Sequence, residues 1–178
     1  MLNCRTDGRS GLMQQFLTYF LRLCIFSADP ADAPKAPAFL ATVVVIHALI
    51  SFTILTLGDS IPQSSMVPAI ALGLTIEAVA TVALLAFRRV TGRFMPTMSA
   101  LLATSAVLNL LTLPVTLIAE QMNPAILALV GWISLFWWVS VAGFILHRAA
   151  NLSFGQAAAF AFAVQLLYLT AVGWLVST

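Results

Sequence analysis

Four polar side chains fall where chemistry is costly to house. His47, Glu77, Asn109 and Gln165 each lie near the centre of a long apolar run. A polar or ionisable group inside a bilayer is a candidate functional group because its desolvation must be compensated. The chemistry these types suit is a midplane proton or ion site, with Glu77 carrying the proton and His47 as its hydrogen-bond partner. The competing account is interhelical adhesion. Neutral Glu, His, Asn and Gln bond across helices, each pair worth ~0.6–2 kcal/mol. A lone Glu in lipid-like surroundings is expected to keep its proton, which favours that second account. Spacing does not decide whether His47 and Glu77 share a face.

Other chemistries find no residues to carry them. The sequence has no HExxH on a helix, no GxSxG elbow, no Gly-rich phosphate loop and no Asp cluster for a metal and a lipid phosphate. An intramembrane enzyme is therefore not expected. Cys4 and Cys24, twenty residues apart, exclude a disulfide scaffold and a thiolate metal site. A haem held by His47 and His147 fails on depth. His47 is at the midplane and His147 at a helix end, ~15 Å away at half the hydrocarbon thickness. His147, beside Arg148, reads as a headgroup-level residue, and no cofactor or metal is expected.

The elements that must position the four groups follow from composition. Of 178 residues, 61% are hydrophobic and 8% charged, and the mean hydropathy is +1.03. A soluble domain is about half apolar and about a quarter charged, so this is an integral membrane protein. A net charge of +2 leaves no polybasic strip to track phosphates, which argues against nucleic acid as a partner. A helix of ~20 apolar residues spans the hydrocarbon, and five runs qualify: 38–57, 67–87, 98–118, 125–146 and 157–176. The expected fold is all-α, a bundle of five transmembrane helices. Asn123-Pro124 reads as the cap and first-turn residue of the fourth span. Pro114 frees the carbonyl of Leu110 beside Asn109, which suggests a local kink there.

Charge then orients the spans. Arg5, Arg9, Arg22 and Lys35 precede the first; Arg88, Arg89 and Arg93 join the second and third; Arg148 lies between the fourth and fifth. The opposite loops hold only Asp59 and Glu120. The positive-inside rule makes the chain N-in, C-out, with its C-terminus periplasmic in a cell inner membrane. No internal repeat stands out, and an odd span count does not fit a simple inverted-repeat transporter.

Residues 1–37 form a cytoplasmic N-terminal segment. Within it, 11–26 reads as an amphipathic helix with Gln14, Thr18 and Arg22 on one stripe and Leu12, Phe16, Phe20 and Leu23 on another. Such a helix lies in the headgroup layer with its aromatic face in lipid. A signal peptide ending near Ser27-Ala28-Asp29 and a helix packed on a partner are the alternatives. Residues 28–37 read as an extended Pro-rich linker.

Trp132, Trp137 and Trp138 sit too deep in the fourth span for an interfacial belt. They suit packing against protein, with a partner-facing or ligand-facing surface as the functional alternative. Gly155, Ala159 and Ala163, with Ala157 and Ala161, let another backbone approach the fifth span, within the chain or in an oligomer. Cys24 reads as a buried apolar filler, with acylation as the alternative.

Three segments resemble the Yip1 family of five-pass membrane proteins, particularly its short bacterial members. They are Leu21-Arg-Leu-Cys-Ile-Phe-Ser27 before the Asp-Pro linker, the basic turn Phe87-Arg-Arg-Val-Thr-Gly-Arg-Phe-Met-Pro96, and the 137–157 stretch from Trp137-Trp138 to Ala157. The resemblance implies a cytosolic N-terminus and action through membrane partners. The longer N-terminal domain and acidic-aromatic motif of eukaryotic relatives, which act in vesicle traffic with small GTPases, have no counterpart here. No catalytic residue carries over.

Two functions follow as expectations. The first is a non-enzymatic inner-membrane subunit, scaffold or assembly factor, with the bilayer and other membrane proteins, or further copies of itself, as partners. The second is a small transporter or proton-coupled channel component that uses Glu77 and His47. The topology is directly testable. Alkaline phosphatase fused after Thr178 should be active, and the same enzyme fused after Arg93 inactive; the reverse pattern would invert the orientation.

Overall fold

The computed structural model describes residues 18–57 and 61–177. Five helices long and apolar enough to cross a membrane make up most of it, and the chain is a multi-pass, all-α membrane protein. They are α1 (Pro37–Leu57), α2 (Gln63–Phe87), α3 (Phe94–Met122), α4 (Pro124–Ala150) and α5 (Phe154–Ser177). Each matches one expected span, yet four of them extend three or four residues further at one or both ends. Hydropathy marks where lipid begins, whereas helical hydrogen bonding continues into the polar interface until a cap stops it.

The caps show how. Asn123 Oδ1 accepts from Ala125 N at 2.8 Å, and Pro124 follows at the first helical position, as the sequence suggests. Ser153 Oγ accepts from Gln156 N while Gln156 Oε1 accepts from Ser153 N, a capping box that starts α5 before its apolar run. Three helices stop at left-handed residues: Phe26, Arg89 and Asn151, at φ of 60°, 56° and 52°. Each is followed by a six-to-one backbone bond, Ser27 N to Arg22 O, Val90 N to Leu85 O and Leu152 N to His147 O. Pro114 lies inside α3, which runs unbroken through it.

Around the bundle the order is α1, α3, α4, α5, α2, and α2 closes back on α1 through the thinnest seam. Helix α3 is the most enclosed of the five. All three left-handed stops lie at the end carrying the described Lys and Arg residues, the basic end. Most of the core lies in that half, including Leu85, Leu102, Val141 and Ile145, all fully buried.

The N-terminal segment belongs to this core, which corrects the expected headgroup-layer helix. Residues 18–24 are helical, and residues 11–17 lie outside those described. Phe20 and Leu23, expected to dip into lipid, are buried against protein, while Arg22 stays exposed. Phe20 stacks on Phe39 of α1, and Phe26 meets Phe144 of α4 edge-on. The linker is not extended throughout. Asp29 Oδ1 accepts from Ala31 N and starts a 3-10 turn at Pro30–Asp32, packed on α3 and α4. The hydroxyl of Tyr19 donates to the Asp29 carbonyl at 2.7 Å. Burial, then the nearby charges of Asp32 and Asp29, pushes the Tyr19 hydroxyl up to about 12.

Helices α4 and α5 meet most closely at Gly143, where an added Cβ would lie 2.8 Å from Ala158 Cα. Backbone cannot swing aside as a flexible side chain can. Gly143→Val should therefore lower unfolding stability in detergent by about 1–3 kcal/mol. Gly131→Val, in open space, should leave it nearly unchanged. Equal thermal stability for both variants would refute the close approach.

Candidate functional site

A partly open cavity of about 460 Å³ lies between the helices, lined from all five, with the exposed Gly131 and Leu169 among its walls. His47 from α1, Glu77 from α2, Asn109 from α3 and Gln165 from α5 all line it, so the four groups read at similar depth share one space. Depth follows from helix counting. His47 is ten residues into α1 and Glu77 ten residues before the end of α2, each ~15 Å from the basic end at ~1.5 Å per residue. From there the lining runs towards the opposite end, reaching Leu55 on α1 and Gly131 on α4. The bundle is thus dense at the basic end and hollow beyond its middle.

The adhesion account requires bonds between helices. Among the described residues, no hydrogen bond joins any two of these four side chains, although the His47 ring on α1 interacts with the Leu102 backbone of α3. His47 Nε2 lies 3.5 Å from Ser51 Oγ of its own helix, and its Nδ1 is buried without a partner of good hydrogen-bond geometry. Glu77 Oε1 is likewise buried and unpartnered. No hydrogen bond joins His47 to Glu77, although both face the cavity.

The α4 tryptophans mark the boundary between hollow and dense halves. Trp137 and Trp138 line the cavity on its basic side, and both indoles are engaged inside the chain. Trp138 Nε1 donates to Ser105 Oγ on α3 at 2.8 Å. Trp137 Nε1 donates to the Cys24 carbonyl at 3.1 Å and so ties the N-terminal segment beneath the floor. Both indole N–H groups are therefore committed within the chain. Trp132 is 57% exposed and stacks on Phe136 on the outer surface. Gly73 gives the wall its shape, since a Cβ there would lie 2.9 Å from the Tyr168 ring.

The small residues of α5 divide between two faces. Ala157 and Ala161 are buried, whereas Gly155, Ala159 and Ala163 face outward. His147 is remote from the cavity at the basic end of α4, where its Nδ1–H donates to the Leu152 carbonyl.

The basic turn does more than orient the chain. Arg88 Nε donates to Ala150 O and its Nη2 to Asn151 O, both at 3.0 Å. Arg93 Nη1 reaches Ala149 O at 3.0 Å and Arg148 O at 3.3 Å. These are carbonyls that the end of α4 leaves without helical donors. An Arg run read as a topology signal gives no hint of this capping, because the partner helix is 55 or more residues away. All three segments behind the Yip1 resemblance contribute to this half of the bundle.

No family model, curated protein or solved structure matches the chain.

Cys24 is buried, with its Sγ against the Thr104 carbonyl at 4.0 Å. Burial pushes its thiol up to about 11, so little thiolate exists at neutral pH. In a Cys4→Ser background, maleimide should label Cys24 at least about a hundredfold more slowly than a free thiol. Trp137→Phe removes the donor to the Cys24 carbonyl and should speed labelling by about tenfold. Equal rates in the two proteins would show that the indole bond does not hold the segment.

Proposed function

We propose that the chain is a non-enzymatic membrane carrier or channel component that takes a small substrate into the midplane cavity and couples it to a proton on Glu77. The observation carrying this reading is the convergence of His47, Glu77, Asn109 and Gln165 on one cavity with no hydrogen bond among the four. Groups serving only adhesion would be spent on one another; these are left available. His47 supplies a second proton-binding group at the same depth. Asn109 and Gln165 supply neutral donors and acceptors that orient a substrate without fixing its charge.

The proposed location is the cell inner membrane, N-terminus cytoplasmic and C-terminus periplasmic. What supports it is the Lys/Arg distribution. The dense floor would then face the cytoplasm and the hollow half the outside. The Yip1 reading enters as a proposal resting on its three segments and adds no catalytic residue.

The second reading, a subunit, scaffold or assembly factor, has one observation in its favour. The outward face of α5 carries Gly155, Ala159 and Ala163, and nothing lies within 4 Å of a Cβ at Gly155. A second helix could approach there as closely as α4 approaches on the inner face.

Proteoliposomes holding a trapped pH dye distinguish the two. With the protein reconstituted, a panel of small solutes should include some whose entry moves protons. Glu77→Gln should abolish that response while expression, thermal stability and elution volume stay unchanged. Glu77→Gln with wild-type responses would remove Glu77 from the mechanism. If no solute moves protons and gentle solubilisation brings down partners at fixed stoichiometry, the subunit reading replaces it.

A further inference from the structure

The charge inventory of the cavity limits what it can hold. Among its lining residues Glu77 is the one carboxyl group, His47 the one imidazole, and neither Lys nor Arg is present. The described Lys and Arg residues sit in the N-terminal segment or at the basic end, where Arg88 and Arg93 are committed to α4 carbonyls. An anionic substrate would enter a low-dielectric space with no fixed positive charge to receive it. A cation would find the unpartnered Oε1 of Glu77.

The rest of the lining suits an organic ion better than a bare metal ion. Trp137, Trp138 and Tyr168 line it with aromatic rings, aliphatic side chains from all five helices fill much of the rest, and Ser51, Ser105, Thr112 and Ser134 add neutral hydroxyls. Aromatic faces attract ammonium groups, most strongly where water is excluded. Carboxylates from several residues, which a divalent cation needs, are missing. A volume of about 460 Å³ falls within the ordinary range for small-molecule sites.

We propose that the cavity takes a monovalent organic cation with a compact apolar body, held against the Glu77 carboxylate and the aromatic floor. This rests on the carrier reading above and names its substrate class. The exchange is balanced. As the cation arrives, the O–H bond of the Glu77 carboxyl breaks and its proton leaves to water. The site is neutral as a carboxylic acid and neutral again as an ion pair. Binding therefore strengthens as pH rises. The titratable groups facing Glu77 across the cavity are His47 from α1 and Tyr168 from α5; α3 and α4 contribute none. Protonation of His47 at low pH opposes the cation too and reinforces the same trend.

The test uses the full chain in nanodiscs, with empty nanodiscs as the blank and calorimetry as readout. Three probes of similar size differ in charge: phenyltrimethylammonium, its neutral carbon isostere tert-butylbenzene, and benzenesulfonate. At about pH 8 the cation should bind at least about tenfold more tightly than the neutral probe, and the sulfonate weakest. The cation's affinity should fall towards about pH 5. Glu77→Gln should bring cation and neutral probe within about twofold and flatten the pH dependence, whereas Glu77→Asp should keep the preference. Retained binding of tert-butylbenzene shows that the variant still folds. Gly131→Trp, filling the cavity from α4, should weaken every probe.

Equal binding of cation and neutral probe by the wild type, both weakened by Gly131→Trp, would overturn the cation class and leave the cavity reading standing. If no probe binds above the blank, or Gly131→Trp changes nothing, the cavity reading falls with it.

Discussion

A polar group removed from water must find its partner inside the protein, and this bundle meets that constraint very differently at its two ends. At the basic end, the carbonyls that α4 leaves open receive Arg88 and Arg93. Left-handed residues close three helices with backbone bonds. His147 donates to the Leu152 carbonyl, and Trp137 to that of Cys24. A helix end without such partners would be costly wherever water is scarce. Satisfying them here draws residues 18–33, α1, α3 and α4 into one dense unit.

Beyond the middle of the membrane the same constraint is left open. Glu77 Oε1 and His47 Nδ1 are buried without partners, and Asn109 and Gln165 share their cavity, whereas the dense end leaves one such atom, Ser99 Oγ. An unsatisfied carboxyl either carries a proton or waits for a positive charge. A tightly bonded floor beneath a hollow with unmet polar groups gives binding energy to whatever supplies the missing partner. The seam between α1 and α2, the thinnest in the ring, lies between the helices that carry His47 and Glu77. The site is thus bounded by the least constrained packing, and the floor by the most.

Much was legible from residue order. Long apolar runs located five spans, Asn123-Pro124 marked the start of α4, and counting along helices put four polar groups at similar depth. The Ser153-x-x-Gln156 spacing was also a readable signal for an earlier start of α5. Other features carried no local mark. Phe20 and Leu23 read as a lipid-facing stripe, and only the path of the chain shows them meeting protein. Trp137 and Trp138 read as packing against protein, but nothing local shows that their indoles bond to elements 113 and 33 residues away.

The division has one physical cause. Position along a transmembrane helix is set by rise per residue and by where charge must meet water, and both are properties of the sequence by itself. Rotation about the helix axis and choice of neighbours are not. Lipid tails and a protein interior are equally apolar, so an all-apolar helix shows no face that prefers one to the other. The sequence therefore determined the number and depth of the helices, and their limits to within about one turn. Only tertiary packing decided that His47, Glu77, Asn109 and Gln165 turn inward together, and that residues 18–33 pack as the floor beneath them.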